Sequence, residues 1–377
     1  MKSRTRRLMM FTGGMVAAWT VASFVSAEMI RPVSSEAMAL NPVGMQPAGT
    51  WPWRIARAAV AGLWAGLFAS FLELRILPRY AVRLGIGVML GIRTVVYALV
   101  AWIAVIGTVR FMARREFGVT GRELFSSEGF QEFLRGPGFF QLISAFIVAS
   151  FLINGAVQVA RLLGPGSAAQ ILLGRYLRPV EEDRAFLFVD LVDSTALAER
   201  LGPLAFAEFK NDFFHDLSEP VLDTRGQIVQ YVGDEALITW PLVRGTRNAD
   251  CLRCYFDFIE RVEERAEAYE ARYQCVPRFK GGLHCGRVVV SQLGDLKREI
   301  VFSGDPVNTT ARIRGLCGPL GVDFLVSQEL MSLLELPEGL SSRDLGEQTL
   351  RGRTAPVRVF SVDRTVNLST SGQASAS

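Results

Sequence analysis

Hydrophobic and polar positions follow two different patterns along the chain. Up to about residue 165 the apolar residues come in long blocks with few acids. From about residue 180 they recur in short runs, broken by charges and by Gly, Pro, Asn and Asp. A bilayer crossing needs roughly 20 predominantly apolar residues. Four blocks reach that length: Leu8 to Ala27, Ile55 to Leu77, Leu84 to Thr108 and Phe139 to Leu163. The pattern predicts an N-terminal α-helical membrane domain. Its first segment fills residues 1–27, and three further spans lie within 28–163, at about 55–77, 84–108 and 139–163. The first block follows Lys2, Arg4, Arg6 and Arg7 and closes on Val25-Ser26-Ala27. That layout suits a retained helix and a cleavable signal peptide equally. Either way the number of crossings leaves residues 164–377 in the cytoplasm and makes the chain a multi-pass protein of the inner or plasma membrane. Arg79, Arg83, Arg161, Arg175 and Arg178 agree with the positive-inside rule, whereas Arg110, Arg114 and Arg115 oppose it. Glu73, Arg75 and Arg93 are read as snorkelling to the nearer interface.

The second half predicts shorter elements. Ala185 to Val189 is a buried strand ending on Asp190, and Ser194-Thr195 opens a helix over Ala196 to Arg200. Leu204 to Leu217 reads as an amphipathic helix. Gln227 to Gln230 and Ala236 to Trp240 form a hairpin around Val232-Gly233-Asp234-Glu235. Asn248 to Tyr273 is a long charged helix. Phe279 to Leu283 and Val288 to Ser291 read as a second hairpin around Cys285-Gly286. A helix over Asp305 to Cys317 and strands at Phe324 to Val326 and Val357 to Val362 complete the order. Hairpins between helices predict an α+β domain, with an antiparallel-rich sheet covered by helices on one face. Gly164-Pro165-Gly166-Ser167 and Pro179 bracket a connector over 164–182 that holds a short helix, Ala168 to Tyr176. The domain then occupies 183–363, and 364–377 is a polar tail.

Composition narrows the choice. Of 377 residues half are apolar and 21% charged, which excludes a disordered chain, a collagen and a disulfide scaffold. Lys and Arg total 41 against 37 Asp and Glu, so no nucleic-acid partner is expected. The two histidines, His215 and His284, argue against a His-built zinc site, and His284 reads as a core residue. All five cysteines lie in the second half and are expected to be reduced. Cys251-x-x-Cys254 sits in a helical pattern with no second pair, which points to a structural role.

Two constellations carry candidate chemistry. Asp190 closes a strand and Asp234 sits in a tight turn. Carboxylates converging at one sheet edge would hold hard cations that also keep phosphate ligands. Asp193, Asp305 and Glu235 read as structural or turn residues. Asn308 and Arg312, four apart, share one helix face. An amide beside a guanidinium suits a ribose oxygen and a developing phosphoryl charge.

In order, the chain carries Phe188-Val189-Asp190-Leu191-Val192-Asp193-Ser194-Thr195, then Tyr231-Val232-Gly233-Asp234-Glu235-Ala236, then Gly282-Leu283-His284-Cys285-Gly286, then Ser303-Gly304-Asp305-Pro306-Val307-Asn308-Thr309-Thr310-Ala311-Arg312. This set resembles the class III adenylate/guanylate cyclase catalytic domain, over about residues 183–362. The whole chain resembles bacterial cyclases in which a multi-helix membrane domain precedes one such domain. The resemblance implies a ferredoxin-like cyclase fold and two Mg²⁺ or Mn²⁺ ions held by Asp190 and Asp234 with the Leu191 carbonyl. It implies that Asn308 orients the ribose and Arg312 stabilises the transition state. Arg351 aligns with the family's triphosphate-binding Lys. Gln230 and Val301 stand at the base-reading positions, where neither matches the adenylate or the guanylate pattern. ATP is the expected substrate by analogy, with GTP open. In the family the Asp pair and the Asn/Arg pair of one site come from different chains, so the resemblance implies a homodimer. The membrane part would meet lipid and suggests control by a ligand or partner protein. The alternatives are a non-catalytic nucleotide-sensing or dimerisation module of a membrane receptor, and a guanylate cyclase. A transporter is disfavoured by the few spans and the lack of an internal repeat.

Overall fold

The computed structural model describes residues 9, 11–25, 51–76, 86–117, 120–126, 131, 135–163, 174–295, 299–353 and 355–365. It falls into two units, Met1–Leu162 and Leu163–Ser377.

The first unit is helical. Its long helices are α1 (Phe11–Val25), α2 (Trp51–Phe71), α3 (Ile86–Phe117) and α4 (Pro137–Leu163). A π-helical turn, Leu72–Ile76, extends α2. Among the described residues one helix, over Phe139–Val159, is long and apolar enough to cross a membrane. The apolar runs of the others, Phe11–Val25, Ala58–Phe71 and Gly87–Val100, fall short of a full span. Two of the charges expected to snorkel do not. Glu73 and Arg93 are buried and paired, Nε to Oε1, at 3.3 Å, and the Tyr97 hydroxyl donates to Glu73 at 2.8 Å. A partner inside the unit is better than a reach for an interface, because a buried charge is tolerated only when paired. Arg75 is exposed, as expected. Residues 26–27 of the possible cleavage site, most of the expected connector helix and the tail beyond 365 lie outside the described residues.

The second unit is built on β1 (Val180–Leu191), whose apolar run is continuous because both of its faces are buried. Ala185, Leu187 and Val189 face Phe209, Phe213 and Leu217 of α6 (Pro203–Asp223) and Tyr255 and Phe258 of α7 (Asp250–Glu264). Between β1 and α6 lies the short α5 (Ser194–Leu201). The long helix expected over 248–273 bends at Arg265 and continues as α8 (Ala266–Tyr273). Phe186 and Phe188 face the other way, onto Val307 and Ala311 of α9 (Asp305–Gly315). Helices therefore cover both sheet faces, not one as expected. A central strand without a polar face requires a cover on each side.

Hairpin partners β2 (Gln227–Val232) and β3 (Glu235–Pro241) meet across Gly233-Asp234, as the sequence pattern predicts. The second expected hairpin does not form. Residues Phe279–Leu293 make one strand, β4, because Phe279 to Val290 pair without a break with Leu191 to Val180 of β1. This 12-residue ladder overrides the local turn signal at Cys285-Gly286. The turn comes later, and β5 (Glu299–Ser303) returns along β4. With β6 (Phe324–Ser327), β7 (Leu340–Gln348) and β8 (Val357–Arg364) the sheet order is β2-β3-β1-β4-β6-β8-β7, with β5 also on β4. Within it β2-β3-β1-β4 is antiparallel throughout and matches a split βαβ, ferredoxin-like arrangement. The β4–β6 pair is parallel.

Candidate active site

Three adjacent strands position the acids. Asp190, one residue from the end of β1, stands opposite Glu235 of β3 and Lys280 of β4. The β2–β3 turn carries Asp234 to the same place, close enough for its charge to push the Asp190 carboxyl up. Residues 44 positions apart are thus brought together by the β1–β3 register. Burial pushes the Asp190 carboxyl above the usual range, Arg314 pulls it down and Asp234 pushes it up again. Leu191 buries its side chain in the helix-facing core and leaves its backbone beside the pair.

Arg314 is the residue that sequence reasoning missed. Its Nη1 donates to Asp190 Oδ2 at 2.6 Å and its Nη2 donates to Glu235. Glu235, expected to be structural, is therefore part of this acidic group. A side chain on Gly282 of β4 would place its Cβ 2.5 Å from the Arg314 backbone nitrogen. Glycine there lets α9 lie against the strand and delivers Arg314 to the acids. Lys280 adds a second positive charge near Asp190.

No group of three or more His, Cys, Asp or Glu side chains among the described residues is set to hold a metal. The smaller set, Asp190 and Asp234 with the Leu191 backbone beside them, does fit a hard divalent cation. Mg²⁺ commonly takes one or two protein carboxylates and fills its shell with water and phosphate oxygens. Two neighbouring carboxylates attract a divalent ion, while the Arg314 guanidinium and Lys280 ammonium beside them neutralise part of their charge in its place.

Asn308 and Arg312 lie on the opposite flank of α9. At about 100° per residue they are within roughly 40° of each other, and Arg314 is about 200° from Arg312. Thr309, Thr310 and Ile313 are buried between the two flanks. Asn308 is exposed and Arg312 half-buried. The Arg312 Nη2 lies 3.6 Å from where a Cβ on Gly352 would stand, so it adjoins the loop that carries the exposed Arg351. Arg353 pins this loop to α9, donating to Thr309 Oγ1 at 3.3 Å and pairing with Asp305 at 3.6 Å. Gln230 is exposed on β2 and Val301 half-buried on β5, on strands separated by β3, β1 and β4.

Two other candidates resolve as structural. His284 is buried with Nδ1 2.7 Å from Ser327 Oγ. Cys251 and Cys254 are buried on α7, and burial pushes the Cys254 thiol up to about 12. A cavity of about 260 Å³ opens between Leu191–Asp193 and Arg200 and Cys275–Arg278, and none of the metal-site acids lines it.

The fold and the site define an α+β domain with a carboxylate pair at the end of its central strand, suited to metal-assisted phosphoryl chemistry. Residues 179–363 match the family model of the Adenylate and Guanylate cyclase catalytic domain, and the second unit belongs to that family as a class III cyclase catalytic domain. The chain is 42% identical over 206 residues to Adenylate cyclase 2 of Rhizobium meliloti (strain 1021), covering 55% of this chain and 57% of that protein. It is 29% identical over 198 residues to Adenylate cyclase 1 of the same organism, covering 50% of this chain and 29% of that protein. The chain thus spans little more than half of the first relative and under a third of the second. Among solved structures, the adenylyl cyclase CyaB from P. aeruginosa superposes with a TM-score of 0.43 at 20% identity, over 51% of this chain and 98% of that one.

Proposed function

We propose that the chain is a membrane-anchored class III nucleotidyl cyclase that works as a homodimer, converting ATP to 3′,5′-cyclic AMP and pyrophosphate. The observation that carries this reading is the juxtaposition of Asp190, near the end of β1, with Asp234 in the adjacent β2–β3 turn of a cyclase-family domain. The proposed division is 1–27 and 28–163 for the membrane part, 164–182 for the connector, 183–363 for the catalytic domain and 364–377 for the tail.

Asp190 and Asp234, with the Leu191 carbonyl, would hold two Mg²⁺ or Mn²⁺ ions. Bound there, the ions supply Lewis acidity to the ribose 3′-hydroxyl and to the triphosphate. The 3′-oxygen forms its bond to the α-phosphorus as the bond to pyrophosphate breaks, and its proton leaves to solvent. Asn308 fixes the ribose and Arg312 meets the charge that builds on the α-phosphoryl oxygens. Arg351 takes the terminal phosphates, with a planar fork in place of the compact ammonium of Lys. Gln230, able to donate and to accept, faces the base together with Val301. Helical phase supports the dimer. Arg314 commits one flank of α9 to this chain's acids, so Asn308 and Arg312, on the other flank, serve a partner's.

Membrane anchoring is supported by the inverted polarity of the first unit. Trp64, Val95, Phe140 and Leu152 are more than 60% exposed, while Ala58, Ala61, Ala65, Ala69, Glu73, Arg93 and Asn154 are buried. Large apolar residues outside, with small and polar ones inside, suit a lipid solvent. Gly62 and Gly66, four apart, bring α2 within contact of the α1 backbone at Thr20 and Val16. The chain is then a multi-pass inner- or plasma-membrane protein, with its catalytic domain in the cytoplasm and its membrane part open to a regulatory ligand or partner.

The test uses carbonate-washed membranes from cells making the full chain, given Mn²⁺ and labelled ATP or GTP. The expected outcome is cyclic AMP and pyrophosphate from the pellet, lowered by about 10²–10³-fold in Asp190→Ala. Product from GTP alone would reassign the base. Equal backgrounds from wild type and variant would favour a nucleotide-sensing module.

A further inference from the structure

Arg314 is a charged residue in the acidic group that no step of the proposed reaction uses. It lies 124 positions from Asp190 in sequence, on the helix that connects β5 to β6, yet its guanidinium bridges Asp190 and Glu235. The bridge is built, not incidental. Gly282 removes the Cβ that would hold α9 off β4. Ile313 beside it is buried, which locks the helix phase. Asp190 and Glu235 are cross-strand partners, so their carboxylates project from neighbouring positions of one sheet face. The Arg314 Nε is buried without a hydrogen-bond partner, although both Nη atoms are engaged. A side chain that leaves a buried donor unsatisfied is held by its ion pairs and not by its own best geometry.

We propose that Arg314 is a positioning residue and an internal competitor for the metal site. Its guanidinium occupies Asp190 when no divalent ion is bound and must withdraw from Oδ2 for one to bind. This rests on the metal reading of Asp190 and Asp234. The consequence is twofold. Neighbouring carboxylates without a cation repel one another, and one guanidinium between two of them keeps the strand ends together. The same charge raises the divalent-ion concentration needed to load the site, because each ion must displace or sit beside a positive group. Loading therefore frees Arg314, and the freed guanidinium retains Glu235 as its partner.

The test is Mn²⁺ binding to the full-length protein without nucleotide, read from the loss of the free-Mn²⁺ electron paramagnetic resonance signal. Wild type, Arg314→Gln, Arg314→Lys and Asp190→Asn are compared, with circular dichroism as the check on folding. Arg314→Gln should bind Mn²⁺ about ten-fold more tightly than wild type, as expected for removing one unit charge at a partly screened contact. Arg314→Lys, which keeps the charge, should stay near wild type. Asp190→Asn should lose the site. Unchanged or weaker binding by folded Arg314→Gln, with Asp190→Asn still losing the site, would overturn the competitor role and leave the metal reading standing. Binding indifferent to Asp190→Asn in every protein would overturn the metal reading, and this inference with it.

Discussion

The two flanks of α9 differ in how far the chain satisfies them. On one, Arg314 makes ion pairs with Asp190 and Glu235 inside the same chain. On the other, Arg312 makes no ion pair among the described residues, and Asn308 is exposed. One helix thus carries a saturated half-site and an open half-site, separated by the buried Thr309, Thr310 and Ile313. The saturated half holds the acids and the open half holds the groups suited to ribose and phosphoryl oxygens. In the proposed reaction each half needs the other, and a second copy of the chain would supply what each lacks.

The strongest way to break this comparison is to disable one flank per chain. Asp190→Ala and Arg312→Ala should each lower cyclic-nucleotide formation by about 10²–10³-fold, the scale of removing one electrostatic element of a transition state. An equal mixture of the two variants, allowed to exchange subunits, should recover roughly a quarter of wild-type activity. Half of the random dimers are then heterodimers with one intact site of two. Recovery no greater than the sum of the parents, with heterodimers present by pull-down, would place both flanks in one chain's site.

The next largest effect falls on both flanks together. Gly282→Ala drives a methyl into the Arg314 backbone nitrogen, and the helix has to move as a body. Overpacking of this kind costs about 1–3 kcal/mol. The urea midpoint should fall, and activity should fall at every metal concentration. A stable Gly282→Ala protein with normal activity would mean that the close approach of α9 to β4 does not set the site.

Parts of this arrangement were legible in the sequence and parts were not. Asp190 and Asp234 were readable because a buried strand that ends in Asp and a Gly-Asp turn are local signals. The β2–β3 hairpin followed from the same turn. Arg314 was not readable in its role, since its partners depend on the β1–β4 register and on the depth at which α9 sits. Its spacing from Arg312 did carry one signal: two residues along a helix reverse the direction of a side chain. Gly286 misled because a glycine within an apolar run suggests a turn, whereas here a 12-residue ladder with β1 holds the strand straight. The polar β7, Leu340–Gln348, had no apolar alternation to announce it and is recruited by pairing with β8. In the first unit the helices were legible from apolar runs, but the Glu73–Arg93 pair was not, because it needs two helices to meet.

The smallest expected effect concerns the N-terminal end of α9. His284 of β4 is buried beside Ser327 and faces Glu329, Arg353 and Asp305. Burial lowers its affinity for a proton, Glu329 raises it, Arg353 lowers it and Asp305 raises it, with a net shift below the ordinary value for histidine. The unfolded chain therefore takes up a proton at a higher pH than the folded one. The stability due to neutral His284 is present above the unfolded value, about 6.5, and is lost as pH falls through the folded value. The urea midpoint of the wild type should drop between pH 7.5 and pH 5.5, and His284→Phe should show a shallower drop over the same range. The flanks differ here too: Arg353 and Asp305 anchor the open flank, so protonation of His284 should loosen the Arg351–Gly352 loop before it disturbs Arg314. Hydrogen exchange at Gly352 and at Arg314, followed across that pH range, would show that order. Simultaneous loosening of both would mean that α9 responds as one rigid element.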